Sequence, residues 1–122
     1  MFIYLIALSV GVRIAGGSDC PVENMSPLYQ IYPAVTRGRY EELELYKYTG
    51  IECVSVLDAI KLFTLDAAYA GFEEEIKGSI EPGKLADIVA LSENPLTIDP
   101  ERIKDVRVCI TIVDGDVKYS CL

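Results

Sequence analysis

The sequence predicts an α+β fold with helices first and strands after, and three observations carry that prediction. Apolar residues recur at helical spacing between residues 26 and 71. From Gly78 onward the texture changes to short strand-like runs. The chain then closes on two strands joined by Asp114-Gly115, a two-residue turn of the type that matches strand twist. At 122 residues and 51% hydrophobic the chain fits a single modest core. Its net charge of −8 and pI near 4.4 argue against a grip on a phosphate backbone, which needs clustered Lys and Arg, so no nucleic-acid partner is expected.

The opening "MFIYLIALSV" is apolar but has no positive charge before it. Arg13 interrupts it well short of the roughly 20 residues that span a bilayer. It reads as buried protein rather than a signal peptide or membrane segment, and the expected location is cytoplasmic. "GVRIAGGSDCPVEN" then reads as a strand over residues 11–18 that delivers Asp19 into a glycine-rich turn. In "SPLYQIYPAVTRG", Ser26 can cap, Pro27 suits the first helical position, and Leu28, Ile31, Tyr32 and Val35 form a stripe that Gly38 can end. Pro33 removes an interior donor and predicts two short turns in place of one helix. "RYEELELYKYTG" reads as a surface connection.

"VSVLDAIKLFT" carries a capping-box arrangement, Ser55 with Asp58 three residues on, followed by Leu57, Ile60 and Phe63 as the apolar stripe. Thr64 restarts a second short helix through "LDAAYAG", with Gly71 to end it, and Glu73 to Glu75 read as a solvated face. Pro82-Gly83 signals a turn, "DIVAL" a short buried strand, and Asp99-Pro100 the cap and first residue of a brief helical turn. In the closing "VRVCITIVDGDVKYSCL", the two-residue loop sets Val113 opposite Asp116, Ile112 opposite Val117, Ile110 opposite Tyr119 and Val108 opposite Cys121. That apolar face backs onto a polar one with Thr111 opposite Lys118 and Cys109 opposite Ser120. Cys109 and Cys121 would then lie on different faces, unbonded.

There is no histidine, and the four cysteines (Cys20, Cys53, Cys109, Cys121) have no CxxC spacing, so they are expected to be ordinary buried thiols and not a zinc site. Cys20 has nothing basic beside it to make it reactive. Arg37 and Arg39 read either as cations favourable at a helix end or as binders of a substrate carboxylate. Asp87 reads as fixing the turn into its strand.

Taken together and in order, "GGSDCPV", "PAVTR", "SVLDAIKLFTLDAAYA" and "GSIEPGKLADIVALSENPLTIDPERIKDVRVCITIVDGDVKY" resemble the C-terminal part of metal-dependent amidohydrolases of the N-substituted formamide deformylase-like branch. Such enzymes hydrolyse carbon–nitrogen bonds other than peptide bonds, on a (β/α)8 barrel with a small β-sandwich assembled from both chain ends. The resemblance implies that residues 11–18 are the last barrel strand. It implies that residues 55–71 are the helical layer behind it and that residues 80–91 and 106–119 are sandwich strands. The chain would divide into a barrel remnant over 1–77 and a sandwich segment over 78–122.

By the same resemblance Asp19 is the catalytic aspartate at the tip of that strand, holding metal or taking the proton of the attacking water. The histidines that complete such a site, His-x-His among them, lie upstream of anything in this sequence. Asp19 is therefore expected to be idle here, a turn residue, and no metal to be held, although the intact family uses zinc or another divalent ion. Two descriptions remain open: a C-terminal fragment inactive by itself, whose partner is a complementary amidohydrolase fragment, or a non-catalytic module that homo-oligomerises through its N-terminal apolar segment.

Overall fold

A computed structural model describes residues 7 and 9–121; the apolar opening read above as buried lies almost wholly outside them. Ala7 and Ser9 are helical, and residues 12–18 join no helix and no described sheet, so the expected strand lacks a ladder. A parallel strand requires neighbouring strands to accept its hydrogen bonds, and the three described strands all pair elsewhere. Its backbone ties run from the Val12 amide to the Ala7 carbonyl at 2.8 Å and, to a helix, from the Gly16 amide to the Leu62 carbonyl at 2.9 Å.

Helix α1 (Pro27–Thr36) follows, then α2 (Tyr46–Thr49) leading into a 3-10 turn (Gly50–Glu52), α3 (Val56–Leu62) and α4 (Leu65–Ala70). Ser26 occupies the N-cap of α1 with no side-chain bond to the helix, so only its backbone carbonyl serves, accepting from Tyr29. Contrary to the expectation of two turns, α1 continues through Pro33. Both Pro33 and Tyr29, whose carbonyl loses its i+4 donor, are on the exposed side, where water replaces the missing bond. Arg37 ends the helix in the left-handed region (φ 52°), with Gly38 at φ 79° after it.

Ser55 caps α3 as expected: its hydroxyl oxygen accepts from the Asp58 amide at 3.1 Å, and it faces the Asp58 carboxylate at 2.7 Å. The buried face of α3 is Ala59 and Leu62, while Leu57 is half exposed, so the stripe is rotated from the expected one by one position. Thr64 and Gly71 flank α4 as read, but Gly71 keeps φ −86° and Phe72 takes the left-handed conformation.

Strand β1 (Ile88–Leu91), a 3-10 helix (Pro100–Asp105), β2 (Val108–Val113) and β3 (Asp116–Ser120) complete the chain, with sheet order β1-β2-β3 and both pairings antiparallel. Asp99 caps the 3-10 helix by accepting from the Glu101 amide at 3.0 Å. Asp114 and Gly115 both have positive φ (51° and 82°), the geometry of the expected two-residue turn.

The hairpin register departs from expectation two pairs beyond that turn. Val113 faces Asp116 and Ile112 faces Val117, but Thr111 then faces Tyr119 and Ile110 faces Ser120, leaving Lys118 as the extra residue of a bulge. Cys121 donates its amide to the Cys109 carbonyl at 2.8 Å, so the two cysteines are opposite one another and not on different faces. The expected one-sided cover is also absent: β3 is exposed along its whole length, and β1 at both central positions. A single amphipathic face dictates a strict register only where that face is buried, and here it is not.

The core lies between the helices and the second 3-10 segment. Ile103 and Val106 pack with Leu28, Ile31 and Tyr32 of α1, Ala59 and Leu62 of α3, and Val54. Ile103 and Ala59 are fully buried. Tyr32 belongs to this cluster, and its hydroxyl donates to Glu41. Burial, reinforced by that carboxylate, pushes its pKa from 10.0 up to about 12.

Because the neutral phenol is the form the native state favours, this contribution to stability is complete below pH 10. It is lost as pH rises from 10 toward about 12, the unfolded chain releasing its proton first. The stability gap between the native protein and Tyr32→Phe is therefore expected to be constant up to about pH 10 and to narrow above it, read from urea unfolding at a series of pH values. A gap unchanged through pH 12 contradicts this assignment.

Candidate functional site

Asp19 sits in the exposed turn after residues 12–18, itself in the left-handed region at φ 52°. Its backbone carbonyl closes the turn by accepting from the Val22 amide at 2.9 Å, and the peptide between Cys20 and Pro21 is cis. Gly16 lets this segment lie against α3, because a Cβ there would come within 2.5 Å of the Phe63 ring. Among the described residues no group of three or more His, Cys, Asp or Glu could hold a metal ion. The donors among the described residues do not by themselves fit a catalytic metal, which takes at least three protein ligands.

A cleft of about 210 Å³ lies at the other end of the segment, lined by Gly11, Val12, Arg13, Asp58, Lys61, Leu62 and Asp66. Its charges are already committed: Arg13 stacks 4.5 Å from the centroid of Tyr69 and lies 3.9 Å from Asp66, and Lys61 is 3.4 Å from Asp58. The Ser55 hydroxyl, with Lys61 beside it, holds the Asp58 carboxyl below its usual range. Asp19 is not among the residues that line this cleft, so the two are not one site.

The remaining candidates resolve as structural. Arg37 does stand at a helix end, as the C-cap of α1, but it does not face outward: its Nη2 lies 2.6 Å from Glu52 Oε2, with side chains only 12% and 5% exposed. Because Glu52 comes from the stretch after the expected surface connection, spacing alone could not join the two, and Thr49 and Glu52 are buried. Arg39 stacks near the Tyr40 ring at 5.7 Å and lines a smaller cleft with Cys53, whose thiol is raised by burial. Cys20 and Cys121 are exposed, not buried as expected, since both lie where nothing covers the chain. Asp87 does fix a turn, accepting the Asp114 amide at 2.8 Å from the hairpin tip.

In the GKLAD stretch the turn stands where Pro82-Gly83 signals it, whereas the role of Lys84 escaped the sequence reading. Gly83 turns at φ 96°, and Lys84 reaches inward, 2.6 Å from the Glu74 carbonyl and 2.7 Å from the Ser79 hydroxyl. Glu73 pairs with Lys77, so the acidic run is tied down at its start and not simply solvated.

Compared with known proteins, residues 6–119 match the model of the Amidohydrolase family. The chain belongs to that family. Among amidohydrolase relatives, it is 36% identical over 119 residues to the Bacillus subtilis protein YtcJ, named as an amidohydrolase, covering 98% of this chain and 22% of that one. It is 30% identical over 113 residues to the N-substituted formamide deformylase of Arthrobacter pascens, covering 93% and 20%. The crystal structure of an amidohydrolase from Thermotoga maritima MSB8 superposes with a TM-score of 0.63 at 28% identity, over 97% of this chain and 26% of that chain. The chain thus spans about a fifth of the length of the curated amidohydrolases it matches. The resemblance read from the sequence is borne out at this level, as a C-terminal part of a metal-dependent hydrolase.

The buried Arg37–Glu52 pair is the strongest local electrostatic feature of this amidohydrolase segment. Arg37→Met or Glu52→Gln is expected to cost about 3–5 kcal/mol by leaving one charge buried alone, whereas Arg37→Met with Glu52→Leu recovers most of that. Urea midpoints of the three variants decide it. Single variants within about 1 kcal/mol of the parent would mean that water already reaches the pair.

Proposed function

We propose that these residues are the C-terminal part of a metal-dependent amidohydrolase acting on carbon–nitrogen bonds other than peptide bonds. In this reading residues 1–77 bring the last barrel strand with Asp19 at its tip, and residues 78–122 bring strands of the small sandwich. The observation that carries it is a family match over residues 6–119 on a chain whose sheet is left uncovered. Val89, Val113, Val117 and Tyr119 are each more than 40% exposed, as expected of strands whose covering layer is contributed elsewhere in the protein. Residues 12–18, which join no described sheet, are compatible with the same reading at the barrel.

The role of Asp19 follows from its chemistry. An ionised carboxylate is a hard ligand and a proton acceptor, and here it is exposed at the end of a segment held to α3. By itself it lacks the partners that a hydrolytic site needs, so the isolated chain hydrolyses no amide. The test is a chimaera in which this chain replaces the matching fifth of the Arthrobacter pascens deformylase. Hydrolysis of an N-substituted formamide is expected, falling on the order of 10²–10⁴-fold with Asp19→Asn. An equally active Asn variant removes Asp19 from the chemistry; a folded but inactive chimaera counts against the whole reading.

A second reading is favoured by one observation: Phe72, Ile51 and Ile80 are more than 80% exposed, a large apolar surface for so small a chain. The isolated chain is then a self-associating, non-catalytic module, with the apolar opening as the natural interface. Light scattering is expected to give a mass above 13.5 kDa, and a monodisperse monomer at micromolar concentration would rule this out.

A further inference from the structure

The bulge at Lys118 has the effect of setting two thiols face to face at the open end of the hairpin. Ile110 faces Ser120, and the Cys121 amide donates to the Cys109 carbonyl at 2.8 Å, so Cys109 and Cys121 are directly opposed neighbours on one face. Opposed residues of an antiparallel pair have Cα atoms about 4.5–5.5 Å apart, within the roughly 4.4–6.8 Å that a disulfide spans. On its other side Cys109 is the extra residue of a second bulge, since Ala90 faces Ile110 and Leu91 faces Val108, so no β1 residue opposes it. Both cysteines are free thiols, Cys109 half-buried and Cys121 exposed. A hydrogen bond to the Cys121 sulfur, and then burial, raise the Cys109 thiol above its ordinary pKa.

We propose that Cys109 and Cys121 form a reversible dithiol–disulfide pair that locks the open end of the hairpin by exchange with a small-molecule disulfide. Exposure makes Cys121 the attacking group. Its thiol gives up a proton to solvent, and the thiolate attacks one sulfur of oxidised glutathione. That S–S bond breaks, one glutathione leaves and takes up a proton, and a mixed disulfide stands on Cys121. Cys109 then loses its proton and attacks the Cys121 sulfur, expelling the second glutathione. Two electrons pass from the protein thiols to glutathione disulfide, which ends as two reduced molecules.

Such a lock acts where the fold is weakest. Every residue of β3 is exposed, so water competes for its ladder bonds, and the strand ends immediately before Cys121. Closing the S–S bond fixes the last pairs of the ladder, Ile110 with Ser120 and Cys109 with Cys121.

The full chain is incubated in glutathione buffers of increasing oxidised-to-reduced ratio, alkylated, digested and mapped without reduction. A cross-linked peptide joining Cys109 to Cys121, lighter by two hydrogens, is expected to accumulate, with slowed amide exchange at residues 108–110 and 119–121. Cys109→Ser is expected to retain a glutathione adduct on Cys121, because the resolving thiol is gone. In Cys121→Ser, adduct formation at Cys109 is expected to be about tenfold slower. Complete alkylation of both thiols at every ratio would overturn the proposal, as would stable glutathione adducts on both cysteines without the cross-link.

Discussion

Burial of Ile103 is the constraint on which the rest of this structure depends. It comes from the 3-10 helix between β1 and β2, yet it is fully buried among residues of α1 and α3, some forty to seventy positions earlier. With Val106, and with Leu91 of β1 packed beside it, it ties the sheet to the helical part, since β3 is exposed throughout and β1 at its centre. Asp99 fixes where that 3-10 helix starts, and Val106 enters the same core one residue after it ends, so local capping aims a long-range contact. Truncating a fully buried Ile costs several kcal/mol in a typical core, a large share of what a small domain possesses.

That core holds the helices, but it is too small to cover everything apolar that the sequence supplies. Leu57, Ile51, Phe72 and Ile80 remain outside, and β3 is exposed along its whole length. A chain of this length buries a lesser fraction of its surface than a larger domain does, but that scaling does not explain uncovered strands, which ordinarily pack at least one face. Membership of a family whose matched amidohydrolases are about five times longer does. Among the described residues no helix is long and apolar enough to cross a membrane.

How much was legible follows from the range of each signal. The caps at Ser55 and Asp99 and the Asp114-Gly115 turn are set by groups within three residues of one another, and all three stand where the sequence puts them. The hairpin register failed two pairs beyond a correct turn, because alternation constrains register only when one face is buried, and Lys118 is free to bulge out. Pro33 was over-weighted: a lost donor matters little on a wet face. The Arg37–Glu52 pair was out of reach, since it joins a helix end to a later turn across fifteen residues of irregular chain. At the candidate site the glycine-rich turn was legible, but the strand read before it has no ladder partner among the described residues.

The same reasoning separates what Asp19 can do in this environment from what the proposed role asks of it. In bulk water two unit charges 4 Å apart attract by only about 1 kcal/mol, against about 4 kcal/mol where the effective dielectric is near 20. Asp19 is exposed, and among the described residues no cluster of ligands supplements it, so it sits at the high-dielectric end of that range. What the fold does supply is placement. Gly16 seats the segment on Phe63, its amide fastens to Leu62, and Leu62 belongs to the core that Ile103 closes. A carboxylate held by that chain of contacts has a fixed approach direction even before anything surrounds it. Its reactivity must then come from enclosure by other strands, which would exclude water and raise the value of every charge near it.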